Sequence, residues 1–293
     1  MSNQDNDKSQ FNESVIIAQL IDTLEKKIAL DKVCCDVGAL DGRLYSNTFN
    51  LITQRGYKGV LIEPAKERYE KLCKNFPEPN HIKINTFVDV VGENKLDHIL
   101  SRHKIPYNFD FLNIDIDGCD YYIFQSMKSY KPKIICIEYN FSIPNEVEYV
   151  QRLDFSVKRG SSAKSIVKLA NARGYKLAAI TQSNLIFISD PYAQMLDINY
   201  DLDDLRDDSE SKIFLFFGYD GTLLSNKTSI KLYWHDDLNI NLKKLQVIPQ
   251  FIRKFPEDYG LFKKYIYICW LATKNLRTTK DKMLRVLMSN LRK

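Results

Sequence analysis

Between residues 31 and 190, short apolar runs alternate with segments of helical period, and the series closes on two apolar runs with almost no chain between them. The runs KVCCDV, YKGVLIEP, HIKINTFVDV, FDFLNIDID and KPKIICIEYN read as five strands. Helical patterns follow them over LYSNTFNLITQRG, AKERYEKLCKNF, LDHILSRHK, DYYIFQSMKSY and SAKSIVKLANARG. Strands joined through helices pair in parallel and bury both faces of the sheet, so the chain is expected to be α/β and doubly wound. The last two runs, YKLAAITQ and NLIFISD, are too close for a parallel crossover and must form an antiparallel hairpin. A helix over 11–29, with Val15, Ile16, Leu20, Leu24 and Ile28 on one stripe, precedes the first strand.

This divides the chain into an N-terminal tail and helix (1–30), the α/β domain (31–190), a linker and strand-pair extension (191–249) and a basic helical tail (250–293). The linker carries the acidic DLDDLRDDSE, and KIFLFFGYDGTL with SIKLYW reads as a further strand pair. GYDGTLL is close to an aspartate-nucleophile phosphatase signature, but Gly218 stands where the nucleophile belongs, so the segment reads as a hairpin turn.

Charge is distributed unevenly. The chain carries +5 in all, while residues 250–293 hold 11 Lys/Arg against three Asp/Glu. Such a tail reads either as a solvated helix face or as a surface for an anionic membrane, a partner protein or nucleic acid. The longest strongly apolar run, Tyr265 to Ala272, is far short of the roughly 20 residues of a membrane span. The polar MSNQDNDKSQ has no signal-peptide character, and the six cysteines form no CxxC pair. A cytoplasmic protein with reduced cysteines is expected, with a peripheral position at the inner face of a membrane left open by the tail.

In a doubly wound sheet, ligands bind at the carboxyl ends of the strands, and acids collect there. Asp36 ends the first strand in DVGALDG, whose glycines permit a sharp turn beside a ligand; an ordinary strand-to-helix turn fits the same residues. The spacing of Gly38 and Gly42 does not meet a dinucleotide fingerprint, which argues against a nicotinamide enzyme. Glu63 ends the second strand, where an acid binds ribose hydroxyls. Asp89 falls at the end of the third, as an adenine contact or a helix cap. Asp115 and Asp117 end the fourth strand, and Glu138 and Asn140 the fifth. Their converging oxygens suit a hard divalent cation or a base beside a cationic ligand. Asp120 reads as the first turn of a helix. His81, His98 and His103 lie away from these strand ends. The loop from Phe141 to Gly160, with Tyr149, Phe155, Lys158 and Arg159, is either an acceptor-binding loop or a lid packed on its own domain.

The motifs DVGALDG, IEP, NIDIDGCDYYIF, PKIICIEYN and GSSAKSIVKLANARGYKL with NLIFI resemble the FkbM-type S-adenosylmethionine-dependent methyltransferases over roughly residues 31–190. The resemblance implies a seven-stranded, mostly parallel Rossmann-like sheet. It places Asp36, Gly38, Ala39, Asp41 and Gly42 at the methionine part of the cofactor, Glu63 at the ribose, Asp89 beside the adenine and Asp115 near the sulfonium. Related sugar O-methyltransferases hold magnesium with strand-end acids, which implicates Asp115, Asp117, Glu138 and Asn140, with Asp115 or Asp117 as catalytic base. Ala39-Leu40-Asp41 departs from the family's glycine-rich loop, and no histidine supplies a base. The expected activity is O-methylation of a small-molecule, saccharide or glycan acceptor. The alternatives are a nucleic-acid methyltransferase and a non-catalytic scaffold docking through its tail.

Overall fold

The computed structural model describes residues 9–231 and 237–274. The first eight residues, the Leu-Tyr-Trp of SIKLYW and the end of the basic tail lie outside the described residues. Contacts divide the chain into two units, Met1–Ser211 and Lys212–Lys293.

In the first unit, α1 (Glu13–Glu25) leads into β1 (Val33–Val37), α2 (Phe49–Arg55), β2 (Lys58–Ile62), α3 (Lys66–Asn75), β3 (Ile82–Ile84) and α4 (Leu96–Arg102). Then come β4 (Phe111–Ile114), α5 (Asp120–Ser126), β5 (Ile134–Glu138), α6 (Ala163–Ala172), β6 (Tyr175–Ile180), β7 (Asn184–Ser189), α7 (Asp190–Leu196) and α8 (Leu202–Leu205). The seven strands form one sheet in the order β3-β2-β1-β4-β5-β7-β6. The pairs among β1 to β5 are parallel, and β7 runs antiparallel to both β5 and β6. This is the seven-stranded Rossmann-like methyltransferase arrangement, with the closing hairpin where the spacing demanded one.

The unbroken apolar runs follow from burial on both faces. Cys35, Val37, Val60, Ile62, Leu112, Ile114, Ile135 and Ile137 face one core with α4, α5 and α6. Their neighbours Cys34, Leu61, Phe111, Ile134 and Cys136 face another with α1 and α2. Each fully buried aliphatic or aromatic side chain stabilises the fold by about 1.5–3 kcal/mol, so both layers are held chiefly by burial.

A buried charge fixes the sheet's other end. Lys133, 3% exposed, places its Nζ 2.7 Å from Asp31, 2.9 Å from Asp110 and 2.6 Å from the Asn108 carbonyl oxygen. Burial alone would depress the lysine pKa, but hydrogen bonds and charge from Asp31 and Asp110 raise it, so the cation is retained. Asp110 in turn accepts from the backbone N–H groups of Asp31 and Val33, tying the entrances of β1, β4 and β5 together.

Three sequence expectations change in detail. The helix expected from Leu44 begins only at Phe49, because Ser46, Asn47 and Thr48 turn their polar groups inward. The third strand ends at Ile84, not at Val90. In the second unit, KIFLFFGYDGTL is itself a hairpin: β8 (Leu215–Phe217) pairs with β9 (Leu223–Ser225) around Gly218–Thr222. SIK, as β10 (Ser229–Lys231), pairs instead with β11 (Asp237–Asn239). Asp220 accepts from the N–H and hydroxyl of Thr222, which explains GYDGT as turn chemistry. Short α9 (Leu242–Leu245) and the longer α10 (Leu261–Lys274) complete this unit.

Candidate functional site

Strand order reverses between β1 and β4, so the loops leaving these two strands diverge and open a crevice at their carboxyl ends. A cleft of about 240 Å³ lies there. Val37, Gly38 and Leu40 form its floor, Ile62 to Pro64 one wall, Thr86 to Val88 the outer edge, and Asp115 to Asp117 the opposite wall. Arg68, Phe155 and Lys158 complete the lining.

Gly38 is required by the close approach of two strand exits. Its φ is +90°, and a Cβ would stand 1.8 Å from the carbonyl oxygen of Asp115. The N–H groups of Gly38 and Ala39 donate to Ile62 O, and the Asp115 N–H donates to Val37 O, so the turn is held between β2 and β4. Glu63, 2% exposed, accepts from the Leu40 N–H at 3.0 Å with one oxygen and from the Ala65 N–H at 2.8 Å with the other. It therefore pins the first loop to the second while lining the cleft.

The acids from β4 and β5 do meet. Carboxylate oxygens of Asp115, Asp117 and Glu138 lie within 4.8 Å of one another. Asp115 is the first residue past β4, and its carboxyl is pushed well above the usual range by burial, then by the charges of Asp120, Asp117, Asp36 and Glu13. Asp117 is exposed, with φ +57°, and its carboxylate stands 3.3 Å from Lys158 Nζ. Asp120 accepts from the N–H groups of Ile116 and Gly118 at the start of α5. Burial raises its pKa to about 6 although those backbone bonds oppose the shift.

The remaining expected site residues lie outside the cleft lining. Asp36 sits beneath it, accepting from Asn113 Nδ2 and Thr48 Oγ1, both at 2.8 Å. Burial raises its pKa while these bonds resist. Ala39 packs in the core, and Asp41 accepts from the N–H groups of Arg43 and Leu44. Gly42 leaves room for Phe76 and Leu72. Asp89, five residues beyond β3, bonds the Val90 N–H, while Thr86, Phe87 and Val88 occupy the place expected for it. Asn140 is committed elsewhere: its oxygen accepts from the N–H and hydroxyl of Ser142, and its Nδ2 donates to Arg159 O. Both acceptor positions of that oxygen are used, which leaves three carboxylates as the candidate cation ligands.

The 141–160 loop contributes Phe155 and Lys158 to the cleft, and Phe155 meets Phe87 edge-on at 4.6 Å. Fully buried Gln151 shapes this loop, accepting from Arg159 and Gly160 N–H and donating to Val157 O. Arg68, Thr86 and Phe87 were missed by the sequence reading. Thr86 and Phe87 follow the true end of β3, so a correct strand boundary would have found them.

No family model and no curated protein sequence matches the chain. Several solved structures resemble it over part of its length. One is the CMeT domain of the citrinin polyketide synthase, at 12% identity and TM-score 0.38, over 60% of this chain and 52% of that domain. Another is the N-terminal domain of EvdMO1 in the presence of SAH and D-fucose, at 11% identity and TM-score 0.38, over 61% and 82%. A third is an S-adenosylmethionine-dependent methyltransferase from Clostridium acetobutylicum, at 9% identity and TM-score 0.38, over 61% and 92%. The chain thus spans about half the length of the first of these.

Proposed function

We propose that the first unit is an S-adenosylmethionine-dependent O-methyltransferase acting on a saccharide or glycan precursor. The observation that carries this reading is the cleft at the β1/β4 reversal, with buried Glu63 on one wall and Asp115, Asp117 and Glu138 gathered at the other. The resemblance of NIDIDGCDYYIF and PKIICIEYN to the FkbM-type family supports the subfamily and the acceptor class.

The residues fit the cofactor. Glu63 keeps lone pairs beyond its two backbone bonds and can accept from ribose hydroxyls. Phe87, 43% exposed, offers a ring for a planar base, and the absent Cβ of Gly38 lets the chain approach a ligand closely. S-adenosylmethionine, when bound, supplies an electrophilic methyl group, so the protein's share of the work is alignment and removal of the acceptor's proton. Asp115 is the group to take that proton. Burial holds it toward its neutral form, and a cation in the cleft would favour its carboxylate. Asp115, Asp117 and Glu138 would hold Mg²⁺, a hard cation suited to oxygen donors, which would lower the pKa of an acceptor hydroxyl. Phe155 and Lys158, an aromatic face beside a cation, would receive the acceptor.

Titration calorimetry with S-adenosylhomocysteine, with and without magnesium, tests this directly. Saturable binding is expected, and tighter binding with magnesium would support the carboxylate cluster as its site. An absence of binding under both conditions would overturn the enzymatic reading in favour of a scaffold. A steep salt dependence of RNA binding would favour a nucleic-acid acceptor.

A further inference from the structure

The boundary between the two units is also a boundary in charge. Residues 1–211 carry 26 Lys/Arg and 31 Asp/Glu, and residues 212–293 carry 16 and 6. The second unit is therefore strongly basic, and among its described residues Leu223 and Ile252 are buried while many other apolar side chains are exposed. Phe214, Leu215, Phe216 and Phe217 are each more than half exposed, and Tyr219 at the turn is 92% exposed. Side chains alternate across a strand, so Phe216 and Leu224 share one face while Leu215 and Phe217 share the other. Only Leu223, beside Gln246, is buried in this hairpin. The hairpin thus leaves apolar side chains open on both faces. On α10, Leu261, Phe262 and Tyr265 are 89%, 76% and 65% exposed on one helical stripe.

We infer that the β8–β9 hairpin, with Phe216, Phe217 and Tyr219 at its tip, inserts into the interfacial layer of an anionic lipid bilayer, with basic residues of the same unit on the headgroups. Leu223, on the face of Leu215 and Phe217, is covered beside Gln246, while the outer ends of both faces stay open. Open aromatic and aliphatic side chains on a strongly basic unit match a surface that is apolar beneath an anionic layer, which selects this occupant. An aromatic residue with a polar end, such as Tyr219, suits the headgroup boundary. Aliphatic Leu215, Leu224 and Leu261 fit acyl chains better than the faces of nucleic-acid bases, which stack on aromatic rings. The charge has the required sign, with 16 Lys/Arg against 6 Asp/Glu in residues 212–293, and basic segments are drawn to anionic lipid.

The test uses the full chain and sedimentation with vesicles of phosphatidylcholine, alone or mixed with phosphatidylglycerol. Binding to the mixed vesicles is expected, weakened by salt. The triple variant Phe216→Ser/Phe217→Ser/Tyr219→Ser should bind at least about tenfold more weakly, since each ring removes a large buried apolar area. Its thermal melt and S-adenosylhomocysteine binding report whether the chain still folds. A second measurement needs no disruptive change: Tyr219→Trp should gain fluorescence quenching by brominated lipid. No binding to mixed vesicles, unaltered binding of a folded triple variant, or no added quenching at Trp-substituted position 219 would each overturn the inference. So would a dimer in solution that the triple substitution disperses, or RNA binding without vesicle binding.

Discussion

Replacing Glu63 with alanine separates two roles that one carboxylate performs. Its oxygens accept from the N–H groups of Leu40 and Ala65, at 3.0 and 2.8 Å. Hydrogen bonds to a charged group contribute about 1.5–3 kcal/mol each, so losing both would cost about 3–6 kcal/mol if neither N–H found another acceptor. Both bonds are only part-buried, which points to the lower end, about 3 kcal/mol, measured by urea unfolding. If Glu63 also binds two ribose hydroxyls, affinity for S-adenosylhomocysteine should fall about a hundredfold, the equivalent of about 3 kcal/mol. Loosening of the Leu40 loop would weaken binding by a different route, and a double-mutant cycle separates the two. A ribose-deoxygenated S-adenosylhomocysteine should bind the native protein far more weakly than the parent compound. Glu63→Ala should not distinguish them. Equal discrimination by both proteins in calorimetry, at a temperature where the variant is folded, would refute the ribose assignment.

Other expectations follow from the same geometry. Gly38→Ala forces a Cβ against the Asp115 carbonyl and should destabilise the protein by about 2–6 kcal/mol from backbone strain and overpacking. Gly56→Ala, at φ +70° with nothing within 4 Å, should cost about 1 kcal/mol by the same denaturant assay. Lys133→Met removes the buried cation between Asp31 and Asp110 and should cost about 3–5 kcal/mol, partly recovered by adding Asp110→Asn. Asp120, raised to about 6, binds its proton more tightly folded than unfolded. Its contribution therefore makes stability fall as pH rises from about 4 to 6, by up to about 3 kcal/mol, and unfolding of Asp120→Asn across this range should show a flatter dependence.

The strand and helix alternation was legible because each buried strand is a compact apolar run and each helix closes on polar residues. The hairpin was legible because chain length forbids any other pairing between Ile180 and Asn184. Less visible was any feature that depends on a partner distant in sequence. Lys133 looks like an ordinary surface lysine until Asp31 and Asp110 are brought beside it. Ser46, Asn47 and Thr48 looked helical because nothing local announces that Thr48 will meet Asp36 and Asn47 will meet Asn113. At the site, the acids at the ends of β2, β4 and β5 were found by position alone. Asp89 falls outside the cleft lining, because the apolar pattern of HIKINTFVDV outruns the hydrogen-bonded strand. Phe87 and Phe155 meet only in three dimensions.

The antiparallel β7 between β5 and β6 has a consequence for synthesis of the chain. Until residues 184–189 leave the ribosome, β5 has no partner on one side, and its IICIE sequence is an apolar edge of the type that recruits other strands. About 45 residues separate the end of β5 from the start of β7, which at roughly 5–20 residues per second leaves that edge bare for several seconds. A nascent chain stalled within the 141–160 loop would display it indefinitely, so ribosome-bound products ending there should depend on a chaperone in a way that chains extending past Ser189 do not.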